Sequence, residues 1–110
     1  MNGERYIMEA KTLSLPRLNQ LTPTLESTAL KLMEEAGELA QVIGKFRGLS
    51  GEKVDQDDRA VVKAITRELL DVAQTAVTMM FVMEEQFGVD LDQALQEHWA
   101  KLERKGYLVR

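Results

Sequence analysis

After Pro23 the chain contains no further proline, and its apolar residues recur in alternating steps of four and three. Leu25, Ala29, Leu32, Ala36, Leu39, Ile43 and Phe46 form one such series; Val61, Ile65, Leu69, Val72, Ala76, Met79 and Met83 form a second. Steps of this kind collect side chains on one side of an α-helix, whereas a strand would need a period of two. A shorter series, Leu91, Leu95, His98 and Leu102, follows. Aromatic residues make up only 5% of the chain, and Ala, Leu, Met, Glu, Gln and Lys, all good helix formers, dominate the periodic stretches. The expected fold class is therefore all-α, a helical bundle of three long helices in a single domain spanning residues 1–110.

Local signals place the ends. Thr22-Pro23 is expected to open the first helix, with the hydroxyl at the N-cap and proline at the first helical position. Gly37, inside that helix, marks either a tight helix crossing or the close approach of a ligand. Arg47 to Asp58 has glycine, serine and acids without apolar periodicity, so it reads as the principal loop, with Asp55, Asp57 or Asp58 capping the next helix. Gly88 should end the second helix near Phe87. Asp90, with Gln93 three residues on, should start the third, and Gly106 should stop it. Residues 1–21, with Leu13, Leu15, Leu18 and Leu21 interrupted by Pro16, are expected to form an arm or one short helix over the core. The first two helices are expected to run about 25 to 30 residues, or ~40 Å, and the three together carry more apolar face than they can cover for one another. A homodimer or homotetramer completing a larger bundle is the expected state.

The net charge is −4, and no block of like charge resembles a nucleic-acid arm, so phosphate-backbone binding to nucleic acid is not expected. Cysteine is absent, which removes disulfides and thiolate chemistry. The opening MNGERYIMEAK lacks the apolar centre of a secretory signal, and no apolar run reaches the length of a membrane span. A cytoplasmic protein with no membrane partner is expected.

The residues that carry chemistry are acids. Glu34, Glu35 and Glu38 fall within five positions of the first helix, and Glu68 and Asp71 lie in the second. Glu35/Glu38 and Glu68/Asp71 are both i,i+3 pairs, about 60° apart and projecting to the same side of their helices. Two such helices can converge four carboxylates on one point, which is repulsive without a cation. Glu68 lies about 20° from Val61 on a helical wheel, and Glu35 borders the first apolar series, so both need partners. Spacing alone leaves two readings open: a hard divalent metal, or salt bridges to Lys31, Lys45 or Arg67. A di-iron carboxylate bundle requires Glu-x-x-His. The only histidine, His98, is preceded at that spacing by Leu95 and is expected to be a part-buried seam residue. Oxygen-only ligation favours Mg²⁺, with Mn²⁺ as substitute. Glu84, Glu85, Glu97 and Glu103 read as solvated surface charges.

Glu34-Glu35-x-x-Glu38 followed by Glu68-x-x-Asp71 resembles the EExxE…ExxD signature of the MazG-like all-α nucleoside triphosphate pyrophosphohydrolases. The surrounding LMEEAGELAQVIGKF and ITRELLDVAQTAV are similar to that family's two motif helices, and the resemblance covers roughly Leu25 to Arg104. The connection between the two halves, positions 39 to 67, is at the long end of the family pattern. The resemblance implies Mg²⁺ on Glu35, Glu38, Glu68 and Asp71, with Glu34 binding a further ion or orienting the attacking water, so that Glu34 and Glu35 serve catalysis. It implies hydrolysis of a nucleoside triphosphate to monophosphate and pyrophosphate by water attack on the α-phosphorus, as in nucleotide-pool house-cleaning. The remaining phosphate charge calls for cations. Lys101 and Arg104, on one face of the third helix, are the first candidates; Lys31 and Lys45 are the next. Trp99 is a candidate for stacking on the base, against core or interface packing. Two competing expectations stand beside this one: a non-catalytic dimerising or regulatory helical module held by salt bridges, and a same-fold phosphohydrolase acting on another polyphosphate such as a phosphoribosyl-ATP-like compound.

Overall fold

A computed structural model of the chain describes residues 9–46 and 58–109. Three α-helices follow in order: α1, Leu25–Phe46; α2, Asp58–Phe87; and α3, Leu91–Arg104. There is no strand among the described residues, so the all-α expectation holds. No helix among them is long and apolar enough to cross a membrane. The loop expected from Arg47, and the candidate caps Asp55 and Asp57, lie outside the described residues; Asp58 is the first residue of α2.

The start of α1 differs from the expectation at Thr22. The cap is Thr24: its Oγ1 accepts from the Ser27 N–H at 3.0 Å, and Ser27 Oγ accepts from the Thr24 N–H at 2.9 Å. This reciprocal pair satisfies two otherwise orphaned donors, which a cap two residues earlier could not do with Ser27. Pro23 sits just outside the helix, where its missing N–H costs nothing. The other boundaries fall where expected. Gly88 ends α2 at φ 66°, a backbone region that L side chains rarely adopt. Asp90 caps α3 by accepting from the Gln93 N–H at 3.1 Å. Gly106, at φ 80°, closes α3 with two bonds, Gly106 N–H to the Glu103 carbonyl and Tyr107 N–H to the Leu102 carbonyl.

Helix packing is concentrated between α1 and α2. Thr28 lines the same cavity as Thr75 and Thr78, while Glu35 meets Glu68 and Asp71, so the two helices run antiparallel. The face of α1 turned inward is Thr28, Leu32, Glu35, Leu39 and Val42, with Thr28 and Glu35 the most buried. On α2 it is Val61, Ile65, Glu68, Val72, Thr75, Met79 and Val82. Each contact face is thus rotated from the purely apolar series. Ala36, Ile43 and Leu69, expected in the seam, are exposed, and Glu35, expected at its border, lies near its centre. A Cβ added at Gly37 would meet nothing within 4 Å, so no crossing among the described helices requires glycine there.

Outside this seam much apolar surface stays open. Leu30 and Met33 on α1, Val62, Leu69, Met80 and Phe87 on α2, and Leu95 on α3 are all exposed. No residue of α3 is buried, and His98 is exposed rather than part-buried, because α3 stands outside the α1–α2 pair. The segment before α1 is an arm without a helix from residue 9 onward. Two anchors hold it to α2. The Gln74 amide donates to the Pro16 carbonyl at 2.9 Å. The Arg17 guanidinium pairs with Glu85 at 2.7 Å and lies over the Phe81 ring at 4.3 Å.

Candidate functional site

Antiparallel packing brings the two acidic motifs to the same level of the seam. Carboxylate oxygens of Glu35, Glu68 and Asp71 lie within 4.8 Å of one another, and so do those of Glu34, Glu35 and Glu38. Glu35 belongs to both groups. It is buried at 7% exposure, Glu68 is half-buried, and Glu34, Glu38 and Asp71 are exposed at the rim. The i,i+3 spacing on each helix produces this directly: one member of each pair turns toward the partner helix and the other stands at the groove's edge.

The charges act on one another. Glu38 is raised above its ordinary 4.5, first by the negative charge of Glu35, then by lost solvation and the charges of Glu68 and Glu34, partly offset by Lys31. Lys31 reaches Glu34 at 3.0 Å and Glu35 at 3.1 Å, and its ammonium is held well above the usual lysine range, first by its hydrogen bond to Glu34 and then by that to Glu35. Of the three cations considered as salt-bridge partners, Lys31 alone reaches an acid of the cluster among the described residues; Lys45 and Arg67 form no such pair. Glu68 and Asp71 form no ion pair among the described residues. The salt-bridge reading therefore accounts for Glu34 and Glu35 and leaves the α2 acids unexplained.

The donor set fits a hard divalent cation. It is made only of carboxylate oxygens, with solvent access for the waters Mg²⁺ retains. Ligands of one Mg²⁺ stand about 3 to 4 Å apart, so oxygens within 4.8 Å converge with small rotamer movements.

Beside the carboxylates opens a cavity of about 510 Å³. Lys31, Glu35 and Asp71 line it, together with Ser27, Thr28, Gln74, Thr75 and Thr78 from the two helices. Leu18, Leu21, Thr22 and Pro23 of the arm form the rest of its wall. Lys101, Arg104 and Trp99 are not among the residues lining this cavity; Trp99 lines a separate depression with Asp92, Leu95 and Gln96. The structure thus brings together Glu34, Glu35, Glu38, Glu68, Asp71 and Lys31, and leaves the α3 candidates apart from them within one chain.

Sequence reasoning overlooked the hydroxyl and arm residues of the wall. One signal was present: Thr28 lies seven residues before Glu35, and Thr75 seven after Glu68, so each shares its glutamate's side of the helix. The arm residues carried no comparable signal.

Among known families, the chain matches the MazG nucleotide pyrophosphohydrolase domain over residues 23–107. No curated protein and no solved structure matches the chain.

Proposed function

The chain belongs to the MazG nucleotide pyrophosphohydrolase family, and we propose that it hydrolyses a nucleoside triphosphate, ribo or deoxy, to the monophosphate and pyrophosphate at the α1–α2 acidic site. The observation that carries this reading is the convergence of Glu35, Glu68 and Asp71 from two helices beside a cavity of nucleotide-binding size. Glu35, Glu38, Glu68 and Asp71 would hold Mg²⁺, or Mn²⁺ in its place. When bound there, the ion supplies neutralisation of phosphate charge and a more acidic water.

The chain's own residues account for the rest. Glu34 stands at the solvent rim, where it would orient the attacking water and take its proton, with Glu35 holding the water from the buried side. The new bond joins the water oxygen to the α-phosphorus, and the bond to the bridging α–β oxygen breaks, so pyrophosphate leaves. Lys31, already at the cluster's mouth, would exchange its carboxylate partners for phosphate oxygens. Lys101 and Arg104 remain candidates for phosphate charge and Trp99 for the base, provided assembly brings α3 to the site. A second copy of the chain is the proposed cover for the apolar residues left open on all three helices, in a homodimer or homotetramer. A cytoplasmic role in clearing the nucleotide pool is consistent with such chemistry.

The ion pairs of Lys31 favour a second reading, a non-catalytic helical module in which the acids are structural. A panel of canonical and damaged nucleoside triphosphates with Mg²⁺ decides. Pyrophosphate and nucleoside monophosphate, abolished by chelator, are expected. Orthophosphate released from the γ-position would overturn the α-phosphorus mechanism, and no turnover of any nucleotide would favour the structural module.

A further inference from the structure

We propose that the N-terminal arm is the nucleoside-binding wall of the cavity, and that Arg17 is the positioning residue that holds it in place. The proposal rests on the reading above only in placing the triphosphate at the carboxylates. From Glu35 back to Thr28, and from Asp71 on to Thr78, the cavity extends seven residues along each helix, or about 10 Å. A triphosphate held at the acidic end therefore directs its sugar and base along the groove, toward the arm.

The chemistry of that end suits a nucleoside. Leu18, Leu21 and Pro23 offer an apolar surface to a flat ring. Thr28 Oγ1 spends its hydrogen on backbone carbonyls of its own helix, the nearest that of Thr24 at 2.8 Å, and Thr75 Oγ1 donates to the Asp71 carbonyl at 2.9 Å. Both hydroxyls are left with lone pairs, so they accept from the N–H and O–H groups of a base or sugar.

An irregular segment forms a binding wall only if something fixes it. The Gln74 amide holds the Pro16 carbonyl, and the neighbouring Arg17 is held twice, by Glu85 and by the face of Phe81. Both anchors immediately precede Leu18, the first arm residue of the wall. Arg17 itself does not line this cavity.

Two measurements test this. In the first, hydrogen exchange of amides 17–22 is followed in the wild-type protein with Mg²⁺ and α,β-imido nucleoside triphosphates, with inorganic tripolyphosphate as the base-free control. The nucleotides should slow exchange at least fivefold, and tripolyphosphate should not. Equal exchange with and without nucleotide, or equal protection by tripolyphosphate, would overturn the wall. In the second, Arg17→Ala should raise KM for the preferred nucleotide at least fivefold with kcat within twofold, while inhibition by tripolyphosphate is unchanged; Arg17→Lys should recover part of the loss. An unchanged KM, or an inhibition constant that rises in step with KM, would remove Arg17 from this role. The two readings fail separately. Protected arm amides in a protein that hydrolyses no nucleotide would sink the reaction and keep the wall. Turnover without arm protection would do the reverse.

Discussion

The α1–α2 seam and helix α3 are written in the same periodic pattern and end in opposite situations. In the seam, most of the best-covered positions are polar: Thr28 and Glu35 on α1, Thr75 and Thr78 on α2, beside Val61 and Val82. On α3, Leu95 belongs to an equally regular series and is 54% exposed. An apolar period shows that a helix has a face to cover. It does not show what covers it, and where an acidic or hydroxyl residue is drawn into the covered face, function explains it better than stability does. Burying a carboxylate costs free energy unless a partner compensates, and half-buried Glu68 forms no ion pair among the described residues.

The sharpest way to break this contrast is to neutralise the seam's acids. Glu68→Gln should lower activity by more than about a hundredfold, since loss of groups that merely support a metal ligand already costs 10- to 100-fold. Magnesium should stabilise the wild type by RT ln(1 + [L]/Kd), about 2.7 kcal/mol at a hundredfold excess, and the variant should lose most of that gain. Thermal melts with and without Mg²⁺ read it out. If Glu68 is structural instead, the variant melts lower and Mg²⁺ shifts neither protein.

The next test addresses the uncovered helix. Leu95→Glu places a charge in the face expected to meet a second copy, at a cost of about 2 to 5 kcal/mol if that face is buried in the assembly. Light scattering should show the wild type as a dimer or tetramer and the variant shifted toward the 12.5 kDa chain. A wild-type monomer would show that α3 needs no cover at all.

Val82→Ala probes the packed side of the comparison. Val82 is 1% exposed, so deleting its two methyls should cost about 2 kcal/mol by denaturant titration. The same deletion at exposed Val62 should cost far less, unless assembly buries it.

The smallest expected effect concerns Glu38, at the rim. Its carboxyl is raised in the folded protein, so the folded state binds a proton more readily than the unfolded chain does. Metal-free stability should therefore rise as pH falls from neutral through the raised value toward 4.5. In Glu38→Gln that rise should be reduced, and at neutral pH the variant should be no less stable than the wild type. A pH series of melts in chelator would expose the opposite sign.

Much of this was legible in the sequence because short-range rules decide it. Asp90 with Gln93, Gly88 and Gly106 mark helix ends through local hydrogen bonds and backbone conformation, and the i,i+3 acids share a face by geometry. What was not legible depended on other elements. Choosing Thr24 over Thr22 as cap requires knowing that Ser27 will answer it. The rotation of α1 toward Thr28 and Glu35 follows from which residues of α2 it meets, and counting apolar residues favours the wrong side of the wheel. Leu69 and His98 were assigned to covered faces by period alone, which says that a helix has an apolar side but not which described element packs on it; both are exposed. The arm has no period, and its place is set by Gln74, Phe81 and Glu85, more than fifty residues away.

The joint between α2 and α3 has a mechanical consequence. Gly88 sits in the left-handed region, and the 14 residues of α3 beyond it extend about 21 Å. Lys101 and Arg104 ride near the far end of that lever. A rotation of roughly ten degrees at the joint would carry them about 3 Å, the length of a hydrogen bond. The position of both cations thus follows the backbone at the joint, where Gly88 holds a conformation that any side chain would strain.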